Sequence, residues 1–150
     1  MGLEELFGRI EKRFGKEAVV GNDIKVDTVS SGSMALDEIL GGGFALGRIH
    51  EIYGGFSSGK SSAALHLSAS VQKTLGKAVG YVDTEQALDL EYAKALGVDL
   101  SRDKWIMSQP DSAEQALEIV REMLEVPEIG LVVLDSVAGL VPEAVLQGEA

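Results

Sequence analysis

Two segments of this chain are apolar at nearly every position, and an aspartate follows each of them. They are residues 78–82, before Asp83, and residues 131–134, before Asp135. Strands that are apolar on both faces are typical of a parallel sheet that helices cover on both sides. Segments with helical periodicity separate these strands, and such an alternation indicates an α/β fold. The pattern therefore predicts a mainly parallel sheet flanked by helices.

The other elements follow from the same periodicities. Apolar positions three and four residues apart indicate helices, and short β-branched runs between turn residues indicate strands. The predicted helices are 3–14, 33–40, 62–75, 88–96 and 112–125, and the other predicted strands are 26–30, 48–53 and 105–107. Ser33 is the predicted cap of the second helix, and either Asp111 or Ser112 caps the last.

The first predicted helix has one apolar face and one charged face. Its apolar residues fall at helical spacing: Leu3, Leu6, Phe7, Ile10 and Phe14. Gly15 follows as the predicted end of this helix. We predict two units, an N-terminal helix with its linker over 1–25 and a core over 26–150. The apolar face packs either on its own domain or on a neighbouring subunit, and the periodicity leaves both open.

The composition is that of an ordinary globular domain without cysteine. Hydrophobic residues make up 45% of the 150 residues, so the chain is long enough to bury a sizeable core. The absence of cysteine excludes disulfides and fits a reducing compartment. The chain starts without the basic and apolar regions of a signal peptide, and its apolar runs are too short to span a membrane. We therefore expect a cytoplasmic protein without a membrane partner.

The net charge of −11 is concentrated in the second part of the chain. Residues 61–150 carry 15 acidic and 6 basic side chains, whereas residues 1–60 carry 9 and 7. An acidic surface repels the phosphate backbone of nucleic acids. We therefore do not expect this chain by itself to bind single-stranded DNA.

Residues 54–61, Gly-Gly-Phe-Ser-Ser-Gly-Lys-Ser, fit the phosphate-loop pattern G-x-x-x-x-G-K-[ST] at every defined position. Gly54 and Gly59 permit backbone angles that let successive N–H groups surround a phosphate. Lys60 supplies a positive charge for the β- and γ-phosphates, and the Ser61 hydroxyl can ligate Mg²⁺. The pattern lies between a predicted strand and a predicted helix, whose N-terminus attracts anions. The predicted ligand is a nucleoside triphosphate with Mg²⁺.

Acidic side chains follow the two strongest predicted strands. Residues 131–134 and Asp135 have the form of a Walker B strand, which ends in a metal-binding carboxylate. Because ligands bind at the carboxyl ends of parallel strands, Asp135 is expected beside the phosphate loop, where it holds Mg²⁺ directly or through water. Asp83 and Glu85 follow the other strand, and either can orient the attacking water in a hydrolysis. Spacing alone does not separate these two.

Motifs along nearly the whole chain resemble the bacterial RecA recombinase family. They occur in the family's order, and this collinear match is far more specific than a phosphate loop alone. The matching segments are 10–16, 30–33, 47–49, 51–54, 57–61, 83–85, 87–89, 92–93, 96–99, 108–111, 114–118 and 133–138. The resemblance implies a RecA-like P-loop NTPase fold that binds ATP and Mg²⁺.

The resemblance also implies roles for single residues. Glu85 matches the family's catalytic glutamate, and Lys60 is the second predicted catalytic residue. Asp89 and Tyr92 match the residues that contact the adenine, the tyrosine by stacking on it. The predicted metal ligands are Ser61 and Asp135, and the predicted nucleotide site consists of Gly54, Gly55, Phe56, Ser57, Ser58, Gly59, Lys60, Ser61, Ser62, Asp89 and Tyr92.

For a longer parent protein, the resemblance implies ATP-dependent filaments on single-stranded DNA that act in recombination, DNA repair and the SOS response. The first helix matches the segment that packs on the adjacent protomer. The family's DNA-binding loops lie beyond residue 150, so we expect a truncated piece that hydrolyses ATP slowly at best. The alternatives are a RadA-like or KaiC-like ATPase, and an assembly module that holds nucleotide without turnover.

Several positions depart from the family pattern. Gly55 and Phe56 replace the usual Pro-Glu of the phosphate loop, Gln86 replaces His, and Leu90 replaces Pro. Gly55 and Phe56 stand at undefined positions of the loop, so we expect phosphate binding to survive. Phe56 has no carboxylate with which to sense a nucleotide across a subunit interface.

Overall fold

The computed structural model of the chain describes residues 2–19 and 26–148. Its helices are Leu3–Phe14 (α1), Met34–Ile39 (α2), Lys60–Leu75 (α3), Leu90–Ala95 (α4), Ala113–Leu124 (α5) and Glu143–Leu146 (α6). Its strands are Thr28–Val29 (β1), Phe44–Ala45 (β2), Ala78–Asp83 (β3), Trp105–Ser108 (β4) and Ile129–Asp135 (β5). Within these ranges, no helix is both long enough and apolar enough to cross a bilayer.

The three longer strands form a parallel sheet with the order β4-β3-β5. In its register Val79 lies between Trp105 of β4 and Leu131 of β5. Every residue of the central strand β3 is buried, because strands flank both of its edges and side chains cover both of its faces. The predicted α/β fold with a parallel sheet is confirmed. The short strands β1 and β2 form a separate two-stranded antiparallel sheet.

Helices α3 and α5 pack against opposite faces of this sheet. Val79 and Tyr81 belong to the core that contains Leu65 of α3, whereas Val82 packs with Met123 of α5. Successive residues of β3 therefore point alternately to the two helices, as a strand requires. This alternation assigns Asp83 to the same face as Tyr81, which is the face covered by α3.

The ends of the helices agree with most of the predicted signals. Helix α5 is capped by Ser112, whose Oγ accepts a hydrogen bond from the backbone N of Gln115 at 3.2 Å. Of the two candidate caps, Ser112 is therefore the one used. Ser33 is the N-cap residue of α2, as predicted, but its side chain forms no capping hydrogen bond.

The predicted strand over 48–53 is also wrong. This segment has no regular secondary structure and takes no part in either sheet, and the Ile49 side chain is fully exposed. His50 Nε2 lies 2.9 Å from the carbonyl oxygen of Ala45, and the His50 ring meets the Phe44 ring edge-on. These contacts hold the segment beside β2. A β-branched sequence alone does not make a strand, because its backbone also needs a partner strand.

Helix α1 has the predicted bounds and ends at Gly15. None of its residues is buried, and the side chains of Leu3 and Phe14 are 72% and 66% exposed. Residues 20–25 of the predicted linker lie outside the described residues. The predicted division between an N-terminal unit and a core therefore stays a prediction.

Candidate nucleotide site

Residues 54–59 form an exposed turn that leads directly into α3. Gly59, the last residue before the helix, has the left-handed conformation with φ 89° and ψ 15°, and Ser57 also has a positive φ of 55°. A Cβ atom at Gly54 would lie 2.8 Å from the Oγ of Ser58. The left-handed backbone conformation accounts for the glycine at position 59, whereas the contact at Gly54 is with a serine hydroxyl that can rotate away.

Lys60 folds back over this turn. Its Nζ donates hydrogen bonds to the carbonyl oxygens of Gly55 at 2.9 Å and Gly54 at 3.2 Å. A bound phosphate would offer the ammonium group a charged acceptor in place of these neutral carbonyls, and charge-assisted hydrogen bonds are the stronger ones. The neighbouring Ser61 is exposed at the first turn of α3, where its hydroxyl is accessible to a ligand.

Asp135 closes β5, opposite Asp83 of β3. Its Oδ2 accepts a hydrogen bond from the phenolic hydroxyl of Tyr81 at 2.7 Å. Burial of the phenol, together with the hydrogen bond to Asp135 and the charge of that carboxylate, raises the pKa of Tyr81. The phenol is therefore a hydrogen-bond donor at neutral pH. Asp135 itself is half-buried.

Asp83 is buried and serves the loop that follows β3. Its carboxylate accepts hydrogen bonds from the backbone N of Ala87 at 3.3 Å and of Leu88 at 3.1 Å, and from Nε2 of Gln109 at 3.1 Å. With only 3% of its surface exposed, this carboxylate has little access to water. The geometry gives Asp83 a structural role, which the sequence spacing did not reveal.

Glu85 has the opposite environment, since it is exposed in the same loop. Its Oε1 accepts a short hydrogen bond from Oγ of Ser136, the residue after Asp135. Oγ1 of Thr84 accepts from the backbone N of Ser136 at 3.0 Å and donates to its carbonyl oxygen at 2.7 Å. The loops after β3 and β5 are thereby tied together, and Glu85 is held at the carboxyl edge of the sheet. This geometry favours Glu85 over Asp83 as the predicted catalytic carboxylate.

Asp89 and Tyr92, the predicted adenine contacts, lie at the start of α4. Asp89 caps this helix, because its Oδ1 accepts from the backbone N of Tyr92 at 3.0 Å. The Tyr92 hydroxyl lies 3.0 Å from Oγ of Ser62 in α3, and the Tyr92 side chain is partly exposed (44%). The fold thus brings Tyr92 next to the phosphate loop. Among the described residues, no hydrogen bond connects the loop 54–59 with Glu85.

Known proteins similar to this chain match almost its full length. The family model described as the RecA N-terminal domain covers residues 2–150. The chain belongs to the RecA N-terminal domain family. This membership confirms the predicted resemblance and the RecA-like P-loop fold, and it does not favour the RadA-like or KaiC-like alternative.

Individual relatives show how much of their own length this chain spans. It is 49% identical to Protein RecA of Acholeplasma laidlawii and 49% identical to that of Arthrospira platensis. It is 50% identical to Protein RecA of Latilactobacillus sakei. In each case 98% of this chain is aligned, against 45%, 40% and 42% of the relative. The chain therefore spans less than half the length of these relatives.

The side chains of this chain fit the magnesium ion that the family resemblance implies. The predicted ligands, the Ser61 hydroxyl and the Asp135 carboxylate, supply hard oxygen atoms. Over residues 2–19 and 26–148, no group of three or more His, Cys, Asp or Glu side chains could hold a metal by itself. Magnesium commonly binds to one or two protein ligands, with phosphate and water oxygens completing its shell. The observed donors match that kind of shared site.

Sequence reasoning missed three residues that shape this site, namely Tyr81, Thr84 and Gln109. Tyr81 carries the clearest signal, because it is a hydroxyl-bearing residue in an otherwise apolar strand, two positions before Asp83. Residues two apart in a strand share a face. The sequence therefore places the Tyr81 hydroxyl on the same face of the sheet as the Asp83 carboxylate. The roles of Thr84 and Gln109 depend on loop conformations that carry no comparable pattern.

Proposed function

We propose that this chain is the ATP-binding part of a RecA-type DNA recombinase. The observation that carries the proposal is the arrangement of Lys60 at the start of α3 and Glu85 and Asp135 at the carboxyl edge of the sheet. Family membership supports it, since relatives named Protein RecA are about half identical to this chain over nearly its whole length. The charge, hydroxyl and carboxylate chemistry of these residues fits ATP with Mg²⁺.

Each residue of the site has a proposed task. Lys60 exchanges its two carbonyl partners for the β- and γ-phosphates, and the N–H groups of the turn surround them. Tyr92 stacks on the adenine beside Asp89. A Mg²⁺ ion held by Ser61 and Asp135 would neutralise charge that develops on the phosphates. Further contacts with the nucleotide are proposed for the other residues of the loop and for Ser62: Gly54, Gly55, Phe56, Ser57, Ser58 and Gly59.

Glu85 is the proposed catalytic base. It orients a water molecule for attack on the γ-phosphate and accepts the proton that this water loses. The hydrogen bond from Ser136 fixes one carboxylate oxygen of Glu85, which leaves the other for the water. Solvent exposure of Glu85 supports this role, because the water must reach it.

For the longer parent protein we propose ATP-dependent filaments on single-stranded DNA, acting in recombination and repair in the cytoplasm. The exposed apolar side chains of α1, among them Leu3 and Phe14, support the proposal that α1 and the core pack against a neighbouring protomer. The N-terminal unit 1–25 would then be a segment that packs against the neighbouring protomer, separate from the core 26–150. The isolated chain is expected to hydrolyse ATP weakly, because such a site would be completed by a neighbour.

Exchange of Glu85 in the longer parent protein tests the proposed activity. Glu85→Gln keeps the size of the side chain but cannot accept the proton, so we expect Mg-ATP binding to persist and DNA-dependent ATP turnover to be lost. Glu91→Gln, also exposed, is the matched control and should turn over ATP normally. Turnover at the normal rate in Glu85→Gln would assign the base to another residue.

The proposal also predicts that this chain by itself does not bind single-stranded DNA. With a net charge of −11, the chain should not bind a labelled single-stranded oligonucleotide. Its addition should therefore not raise the fluorescence anisotropy of the label. Tight binding that weakens with added salt would show that a basic surface for DNA exists within these residues.

A further inference from the structure

We propose that Tyr81 is a positioning residue that fixes the metal-binding carboxylate of Asp135. The proposal rests on the proposed function, because it concerns the same magnesium site. Tyr81 would not touch nucleotide or metal. It would act through Asp135, by setting which way that carboxylate points.

The Tyr81 side chain has no freedom to serve any other partner. It is fully buried in the central strand, within the core that α3 covers. Its ring lies against the ring of Trp105 on β4, with the centroids 5.2 Å apart and the planes inclined by 31°. A ring clamped in this way points its hydroxyl in a single direction, and Asp135 Oδ2 lies there at 2.7 Å.

The sheet register explains why the two groups meet. Tyr81 is aligned with Val133, and Asp83 is aligned with Asp135. Asp135 is therefore the diagonal neighbour of Tyr81 on the same face, within reach of a long side chain. A phenylalanine would fill the same space in the core but could not donate to the carboxylate.

The hydrogen bond leaves one oxygen of the carboxylate for a ligand. Among the described residues, the Asp135 side chain has no hydrogen bond other than the one at Oδ2. The bond therefore fixes the rotation of the carboxylate and directs Oδ1 away from the phenol. Ligating carboxylates are commonly held by such hydrogen bonds, and loss of the outer partner weakens metal binding.

Calorimetry of ADP binding to the 150-residue chain, with and without Mg²⁺, tests this proposal. The measured quantity is the factor by which Mg²⁺ tightens ADP binding. We expect Tyr81→Phe to reduce this factor roughly tenfold, the lower end of the usual effect of losing an outer partner. Metal-free ADP binding should be unchanged, because the phosphate loop is intact. Tyr53→Phe, which removes an exposed hydroxyl, should leave both quantities as they are.

A double-mutant cycle separates positioning from a general loosening of the core. In an Asp135→Ala background, Tyr81→Phe should have no further effect on the magnesium factor, because the carboxylate that Tyr81 positions is gone. Emission from Trp105, the single tryptophan, reports whether the core around the ring is preserved. An unchanged magnesium factor in Tyr81→Phe, or an equal loss in the Asp135→Ala background, would overturn the proposal. If the unmutated chain binds ADP equally well with and without Mg²⁺, the proposed magnesium site and the positioning role fail while nucleotide binding stands. If it does not bind ADP at all, the proposed function fails.

Discussion

Asp83→Ala should lower the free energy of unfolding of this chain far more than Glu85→Gln does. Asp83 receives three hydrogen bonds, from Ala87, Leu88 and Gln109. A hydrogen bond to a charged group contributes about 1.5–3 kcal/mol, and a buried donor left without a partner costs a similar amount. Ala87 and Gln109 are exposed enough to find water instead. We therefore expect a loss of about 3 kcal/mol rather than the full sum.

Urea denaturation of the 150-residue chain measures this difference. Asp83→Ala should lower the free energy of unfolding by about 3 kcal/mol, with Asp83→Asn between it and the unmutated chain because its amide oxygen still accepts. Glu85→Gln should change stability by only about 0.5 kcal/mol, as is usual for an exposed position. Equal losses for Asp83→Ala and Glu85→Gln would refute the structural role assigned to Asp83.

Two further predictions concern polar groups away from the site. Gln72 is buried in α3 and makes three hydrogen bonds, two with Asp99 and one with Lys104, so Gln72→Leu should cost about 2–4 kcal/mol in a denaturant titration; a cost near zero would contradict it. Asp37 has a pKa below its ordinary value because Ser30 and, next, Ser31 donate hydrogen bonds to it. A group whose pKa is lowered by folding stabilises the folded state above its unfolded pKa, and this contribution is lost as the pH falls below about 4. The melting temperature of Asp37→Asn should therefore depend less on pH in that acidic range than that of the unmutated chain, and an identical acid dependence would contradict the assignment.

The central part of the fold could be predicted because its signals are local. The strands β3 and β5 are apolar runs that end in a carboxylate, and α5 has one clearly apolar face. The predicted strand over 48–53 was wrong because a strand depends on a partner that the local sequence does not specify. In this structure His50 contacts Ala45 and Phe44, so the segment lies beside β2.

The candidate site was predictable in its motifs and not in its internal contacts. The phosphate-loop pattern locates Lys60 without reference to any distant residue. The distinction between Asp83 and Glu85 depends instead on Gln109 and Ser136, which lie 26 and 51 residues away from their partners. Tyr81 and Asp135 are 54 residues apart, and only the alignment of two parallel strands brings them together.

Calorimetric titration of the 150-residue chain with Mg-ATP is the most direct test of the proposed nucleotide site. The account predicts binding by the unmutated chain, no detectable binding by Lys60→Ala, and unchanged binding by Lys73→Ala. Lys73 is the matched control, because it lies exposed in the last turn of the same helix. An affinity of Lys60→Ala equal to that of the unmutated chain, or no binding by either, would contradict the account.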